Sequence, residues 1–166
     1  TLRGVGAGVL GGQCREPIQD GRPGTRWELG AGIPGSRLNI LRKGVQISEP
    51  RVIGKEGVET VQPAPCVSVA SSVTKEVGAT EISSGITTFQ AGTSNTIHFH
   101  NAEESVIVIE GEGILMINGE ENYVRQYDAA FITPGTHHRL INTGEEPFKI
   151  AWSYATVDVA RTLVDE

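Results

Sequence analysis

The sequence predicts an all-β fold, a sandwich or a barrel. Three observations lead there. Short β-prone runs recur with turn signals between them at close spacing. Asn118-Gly119 sits between Ile114-Leu115-Met116-Ile117 and Tyr123-Val124-Arg125, a strong hairpin signal because both residues tolerate positive φ. Alternation is clear in the last long run, where Phe148, Ile150, Trp152 and Tyr154 fall on one face.

Taken in order, residues 1–44 differ in kind from the rest. Eleven of the 21 glycines lie there, with Pro17, Pro23 and Pro34. Such a stretch has high chain entropy and little periodicity, and its composition predicts poor order. Trp27, Leu29, Ile33, Leu38, Ile40 and Leu41 are its available anchors, for draping over the barrel or crossing to a second subunit. We therefore divide the chain into a Gly-rich extension, 1–44, and a β-domain, 45–166, with a short C-terminal segment.

Val45-Gln46-Ile47 and Arg51-Val52-Ile53 are short extended candidates, split by Pro50, and 54–65 reads as a loop. Strand candidates follow at 66–70, 80–82 and 86–90, then in the run ending at His98 and His100, and in the SVIVIEG run after Glu104. After the Asn-Gly hairpin come 128–132, 138–142 and 148–154, separated by Pro134-Gly135 and Asn142-Thr143-Gly144. Residues 157–163 read as a short terminal helix or an extended arm.

At 166 residues the chain is expected to form one domain with a sizeable core. Its 14 basic and 20 acidic residues give a net charge of −6. No basic run interleaved with aromatics appears, which argues against nucleic acid as a partner. No apolar stretch reaches the roughly 18 residues of a membrane span. No basic-then-apolar leader suggests secretion, and the start at Thr1 is expected of a trimmed terminus. Cys14 and Cys66 fit no CxxC pattern. They read as free thiols in a reducing, cytoplasmic compartment, with one disulfide left open.

The chemistry concentrates in GTSNTIHFHNAEESVIVIEG, residues 92–111. On a strand His98 and His100 share a face while Phe99 points away. A hairpin after Asn101, Ala102 and Glu103 would return the Glu104 carboxylate beside both imidazoles. His138, in the YDAAFITPGTHHRLIN stretch of 127–142, follows a Pro-Gly turn and is the natural third imidazole. Neutral imidazoles and a carboxylate on one face make a metal site. A lone buried His is more often a satisfied core residue than a ligand. Three of the chain's four histidines placed around one Glu reverse that expectation. His137 neighbours His138 and should face outward.

These motifs resemble those of the cupins. The first cupin motif is Gly, five residues, His-x-His, three or four residues, Glu, six residues, Gly; Gly92, His98, His100, Glu104 and Gly111 match it. The second is Gly, five residues, Pro-x-Gly-x-x-His, three residues, Asn; Gly135, His138 and Asn142 match. Tyr127 stands where the motif has Gly, and Thr133 where it has Pro, with Pro134 displaced by one. Neither is a ligand position. Residues 112–126 separate the motifs, as in compact microbial cupins. The resemblance covers roughly 60–155 and implies a jelly-roll barrel, the double-stranded β-helix.

Alternation predicts the pocket walls. Thr96 shares the face of His98 and His100, Val106 and Val108 that of Glu104, and Leu140 and Asn142 that of His138. If the 148–154 face is inward, Trp152 and Tyr154 bring an indole N–H and a phenol near the metal; plain core aromatics are the blander alternative. Gln90 or Thr88 is the expected polar group from the preceding strand, and Arg139 should point away. No basic cluster that would fix a phosphate or dicarboxylate is evident.

A closed tetrahedral zinc site would use all four ligands, His98, His100, Glu104 and His138, leaving no open position. An octahedral ion would keep two, close to the open triad of non-haem iron oxygenases. One divalent ion is expected, iron(II) or manganese(II) favoured, with zinc, nickel and copper also used by cupins. The resemblance implies an enzyme acting on a small oxygen-bearing molecule, an oxygenase placed slightly ahead of a lyase, cyclase or isomerase. Glu104 and Tyr154 are the acid–base candidates. A non-catalytic small-molecule-binding module and a purely structural metal are the alternatives. A homodimer is the expected assembly.

Overall fold

The computed structural model describes residues 49–164. The Gly-rich extension and the candidate strand at 45–47 lie outside the described residues. Among the described residues eleven strands form two antiparallel sheets. The six-stranded sheet runs β1 (Thr60–Ala64), β2 (Val67–Val73), β3 (Ser83–Phe89), β10 (Phe148–Tyr154), β5 (Glu104–Glu110), β8 (Ala129–Ile132). The five-stranded sheet runs β11 (Arg161–Leu163), β4 (His98–His100), β9 (His138–Ile141), β6 (Glu112–Ile117), β7 (Glu120–Arg125). This is the expected jelly roll.

Period-two burial fixes which side chains enter it. β3 alternates strictly, with Ser83, Gly85, Thr87 and Phe89 inward. β10 buries Phe148, Ile150 and Trp152, and β5 buries Glu104, Val106 and Val108. Phe89 and Phe148, both with no exposed surface, pack at 5.8 Å between ring centroids. Val67, Leu115, Leu140 and Ile150 complete the apolar cluster. Gly85 lies opposite Trp152, where a Cβ would approach the indole to 2.5 Å, so only glycine leaves room for the ring. Gly111 turns β5 into β6 at φ 76°, and a Cβ there would meet the Pro147 carbonyl at 2.6 Å. Asn118 and Gly119 both have positive φ, as the hairpin signal required.

Four expectations need correction, and one open alternative is decided. His98–His100 and Glu104 are not joined in a hairpin: β4 pairs with β9 and β11, while β5 pairs with β10 and β8. Residues 101–103 instead carry the chain from one sheet to the other, so Glu104 faces the imidazoles across the interior. Part of the expected 54–65 loop is strand β1, which pairs with β2 through an irregular register. Residues 51–53 and 80–82 lie outside strands, and β3 begins only at Ser83. The terminal segment is the extended arm of the two alternatives, closed by β11. Cys66 is disulfide-bonded, not a free thiol, which removes the support it lent to a reducing compartment; Cys14 lies outside the described residues. Among the described residues no helix is long and apolar enough to cross a membrane.

Candidate metal centre

Four buried side chains meet at one end of the barrel: His98, His100, His138 and Glu104, each at most 5% exposed. The ligand nitrogens of the three histidines lie within 4.8 Å of one another. β4 supplies two, and β9 supplies the third because His98 and His138 are register partners.

Each imidazole is oriented through Nδ1. His98 Nδ1 donates to the Thr96 carbonyl at 2.8 Å, His138 Nδ1 to Thr136 at 2.9 Å and His100 Nδ1 to Ala160 at 3.2 Å. A neutral ring that donates through Nδ1 keeps a lone pair on Nε2. Backbone acceptors behind metal-ligating histidines fix tautomer and ring direction in this way. Burial, then His138 and Arg161, lowers the pKa of His98 to about 3; burial likewise lowers that of His100, partly opposed by Glu104. Both rings are thus held neutral, the form that ligates.

Glu104 sharpens the point. Its Oε2 is 3.2 Å from His138 Nε2 and 3.8 Å from His100 Nε2, yet it is buried without a hydrogen-bond partner. With each Nδ1 spent on a backbone carbonyl, the three Nε2 atoms and this carboxylate oxygen converge, and a divalent ion among them would satisfy all four at once. The residues present therefore fit a divalent ion.

The wall follows the alternation. Trp152 is inward, and its Nε1 donates to Thr87 Oγ1 at 3.0 Å. The polar group from β3 is therefore Thr87, correcting the choice of Gln90 or Thr88: β3 turns odd-numbered side chains inward. Tyr154 is half-buried, with its hydroxyl 3.1 Å from His100 Nε2 and its ring centroid 4.7 Å from that of the imidazole. Burial, then the Glu104 charge, raises the Tyr154 pKa and keeps the phenol protonated, a donor and not a base. His137 is exposed and stacks on Phe99 outside the barrel, as expected. Thr96 serves through its carbonyl, while its side chain is exposed.

Two residues of the site escaped the sequence reading. Asn101, directly after His100, accepts from Ala160 N at 2.7 Å and donates to the Asp158 carbonyl at 3.1 Å. Arg161 lies opposite His100 on β11. Neither sits in a periodic apolar run, and both act on residues about 60 positions away.

Residues 85–154 match the Cupin domain family, and the jelly-roll fold of the described residues agrees with that match. Over 77 residues it is 34% identical to the tetracenomycin polyketide synthase protein TcmJ of Streptomyces glaucescens, covering 46% of this chain and 52% of that protein. The chain spans about half the length of the curated relatives it matches. The polyketide cyclase RemF from Streptomyces resistomycificus superposes with a TM-score of 0.63 at 18% identity, over 71% of this chain and 87% of that one. Salicylate 1,2-dioxygenase from Pseudoaminobacter salicylatoxidans superposes with a TM-score of 0.56 at 16% identity, over 63% and 31%. At such identities the structural likeness is one of fold.

Proposed function

We infer that this cupin domain is a metal-dependent enzyme acting on a small polycarbonyl molecule, a cyclase ahead of an oxygenase. The sequence alone ranked these the other way. The observation that carries the metal is the convergence of three Nδ1-anchored imidazoles on a partnerless buried carboxylate oxygen. We assign His98, His100, His138 and Glu104 as its ligands. The cyclase reading draws support from two similar proteins, the tetracenomycin polyketide synthase protein TcmJ and the polyketide cyclase RemF.

A bound divalent ion would polarise a substrate oxygen as a Lewis acid. Ring closure of a polycarbonyl chain removes a proton from a CH₂ between two carbonyls, forms a carbon–carbon bond to a third carbonyl, and protonates the oxygen produced. No electrons leave the substrate, so no oxidant is needed. Glu104 is the proton acceptor in this scheme and Tyr154 the donor, consistent with a phenol kept protonated. The apolar wall of Val106, Ile150 and Trp152 excludes water that would compete for both.

The test is metal content after purification without added metal, then anaerobic incubation of iron-, manganese- and zinc-loaded protein with 3,5-diketo esters. Ring-closed product without oxygen uptake supports the cyclase. Substrate-dependent oxygen uptake moves the oxygenase ahead. Metal binding without turnover leaves the binding module, and failure to bind metal at all removes the reading. The outer face of the six-stranded sheet exposes Ile86, Ile107 and Phe131, which supports a homodimer; elution as a monomer in gel filtration would remove that part.

A further inference from the structure

The C-terminal strand delivers a charge to the centre. In the antiparallel pairing of β11 with β4, Arg161 lies opposite His100 and Leu163 opposite His98. Directly opposed residues share a face of the sheet, so Arg161 is on the imidazole side. Its Nη2 donates to the Thr96 carbonyl at 3.4 Å, the same oxygen that accepts from His98 Nδ1. The guanidinium and the imidazole are thus neighbours on one acceptor. Its field is also felt at Tyr154 and Glu104.

The segment that carries Arg161 is held in place. Ala155 N donates to the Glu103 carbonyl at 3.1 Å, Lys75 pairs with Asp158 at 2.7 Å, and Asn101 grips both Asp158 and Ala160. Beyond β11, Val164 N donates to the Ile97 carbonyl at 3.0 Å. A surface arginine is ordinarily a solvated charge on a flexible stem. Here its backbone is tied on both sides and its side chain faces the centre.

The guanidinium is under-used. It has five N–H donors, of which one makes a single long hydrogen bond. Among the described residues no carboxylate lies within ion-pair distance of it, and it stays accessible at the rim. A planar fork with free donors beside a cation-binding centre matches a carboxylate or an enolate oxygen pair.

We propose that Arg161 forms an anion subsite at the rim of the three-histidine centre, so that the substrate carries a carboxylate seated between the guanidinium and the metal. The proposal rests on the metal reading above and narrows its substrate class to polycarbonyl acids. The sequence reading found no basic cluster that would fix a phosphate or dicarboxylate, and the proposal adds a single arginine. The match to the cupin family ends at Tyr154, so this feature lies in the chain's own C-terminal segment.

The experiment uses cobalt(II)-loaded full-length protein, with its visible spectrum as the readout, titrated with benzoate and with benzamide, its neutral isostere. A metal alone already prefers the carboxylate, so the measured quantity is the change in that preference on substitution. Arg161→Gln should weaken benzoate about tenfold or more and leave benzamide unchanged. Arg161→Lys should recover part of the loss, and raised salt should weaken benzoate in the wild type more than in Arg161→Gln. The cobalt spectrum without ligand should be the same in all three proteins, which separates ligand binding from a displaced strand. Equal benzoate affinity in wild type and Arg161→Gln overturns the subsite while the metal centre stands. Absence of cobalt binding overturns the metal reading first and the subsite with it.

Discussion

The two ends of the barrel are built on the same strands and behave oppositely. Along β5 the inward row runs Glu104, Val106, Val108; along β10 it runs Tyr154, Trp152, Ile150, Phe148. One end gathers a carboxylate, three imidazoles and a phenol. The other closes on Phe89 and Phe148 with no exposed surface. Alternation decides which side chains enter the barrel, but position along the strand decides whether they stabilise or react. The apolar end can lower its free energy by packing alone. The polar end leaves Glu104 Oε2 buried without a hydrogen-bond partner, a cost that a bound cation would remove.

This contrast breaks if the two ends are not energetically separable. Phe148→Ala empties the centre of the apolar end and should cost about 3–5 kcal/mol in urea unfolding, with metal affinity per folded molecule unchanged. His138→Ala should do the reverse. Metal affinity by calorimetry should fall about 100-fold or more, beyond the usual effect of removing a group that merely orients a ligand. Unfolding of the chelator-treated protein should shift far less than in Phe148→Ala. Comparable losses of stability from both variants would mean that the imidazole cluster is ordinary core.

The site residues differ in how visible they were. His98, His100, Glu104 and His138 were legible because a strand turns a spacing of two into a shared face, and because four such residues at matched spacings seldom coincide. Where Glu104 approaches from was not legible. A tight turn and a crossing between sheets use the same few residues, and only long-range pairing separates them. Arg161 and Asn101 were hidden for a related reason: Val157-Asp158-Val159-Ala160-Arg161 has no decisive periodicity, and its partner strand lies about 60 residues earlier. The strand β1 was masked by Pro63 and by the irregular register that accommodates it.

The charge state of the polar end gives a pH test. His98 titrates near 6.5 in an unfolded chain, and its pKa is lowered to about 3 in the metal-free fold, chiefly by burial. Between these values the unfolded chain binds a proton that the folded chain refuses. Stability of the chelator-treated protein should therefore rise with pH across this window, His98 contributing a slope approaching about 1.4 kcal/mol per pH unit. His98→Gln should flatten the profile, whereas Phe148→Ala should lower it without changing its slope. An unchanged slope in His98→Gln would show that His98 is free to protonate in the fold.

Tyr127 gives the finest separation of the two ends. It occupies a motif position expected to be glycine, and it adopts the glycine conformation at φ 74°. Its backbone N–H donates to the Val108 carbonyl at 2.8 Å, which ties the turn to β5. Val108 is four residues from Glu104, about 13 Å along an extended strand, so the strained turn belongs to the apolar end. The side chain is 79% exposed, so little packing offsets the strain. Left-handed backbone costs a non-glycine residue roughly 1–2 kcal/mol, while glycine costs roughly 0.5–1 kcal/mol in chain entropy. Tyr127→Gly should thus stabilise by a net of about 0.5–1 kcal/mol in urea unfolding, with metal affinity the same within error. A change in metal affinity would couple the two ends through β5 and undo the separation on which the contrast rests.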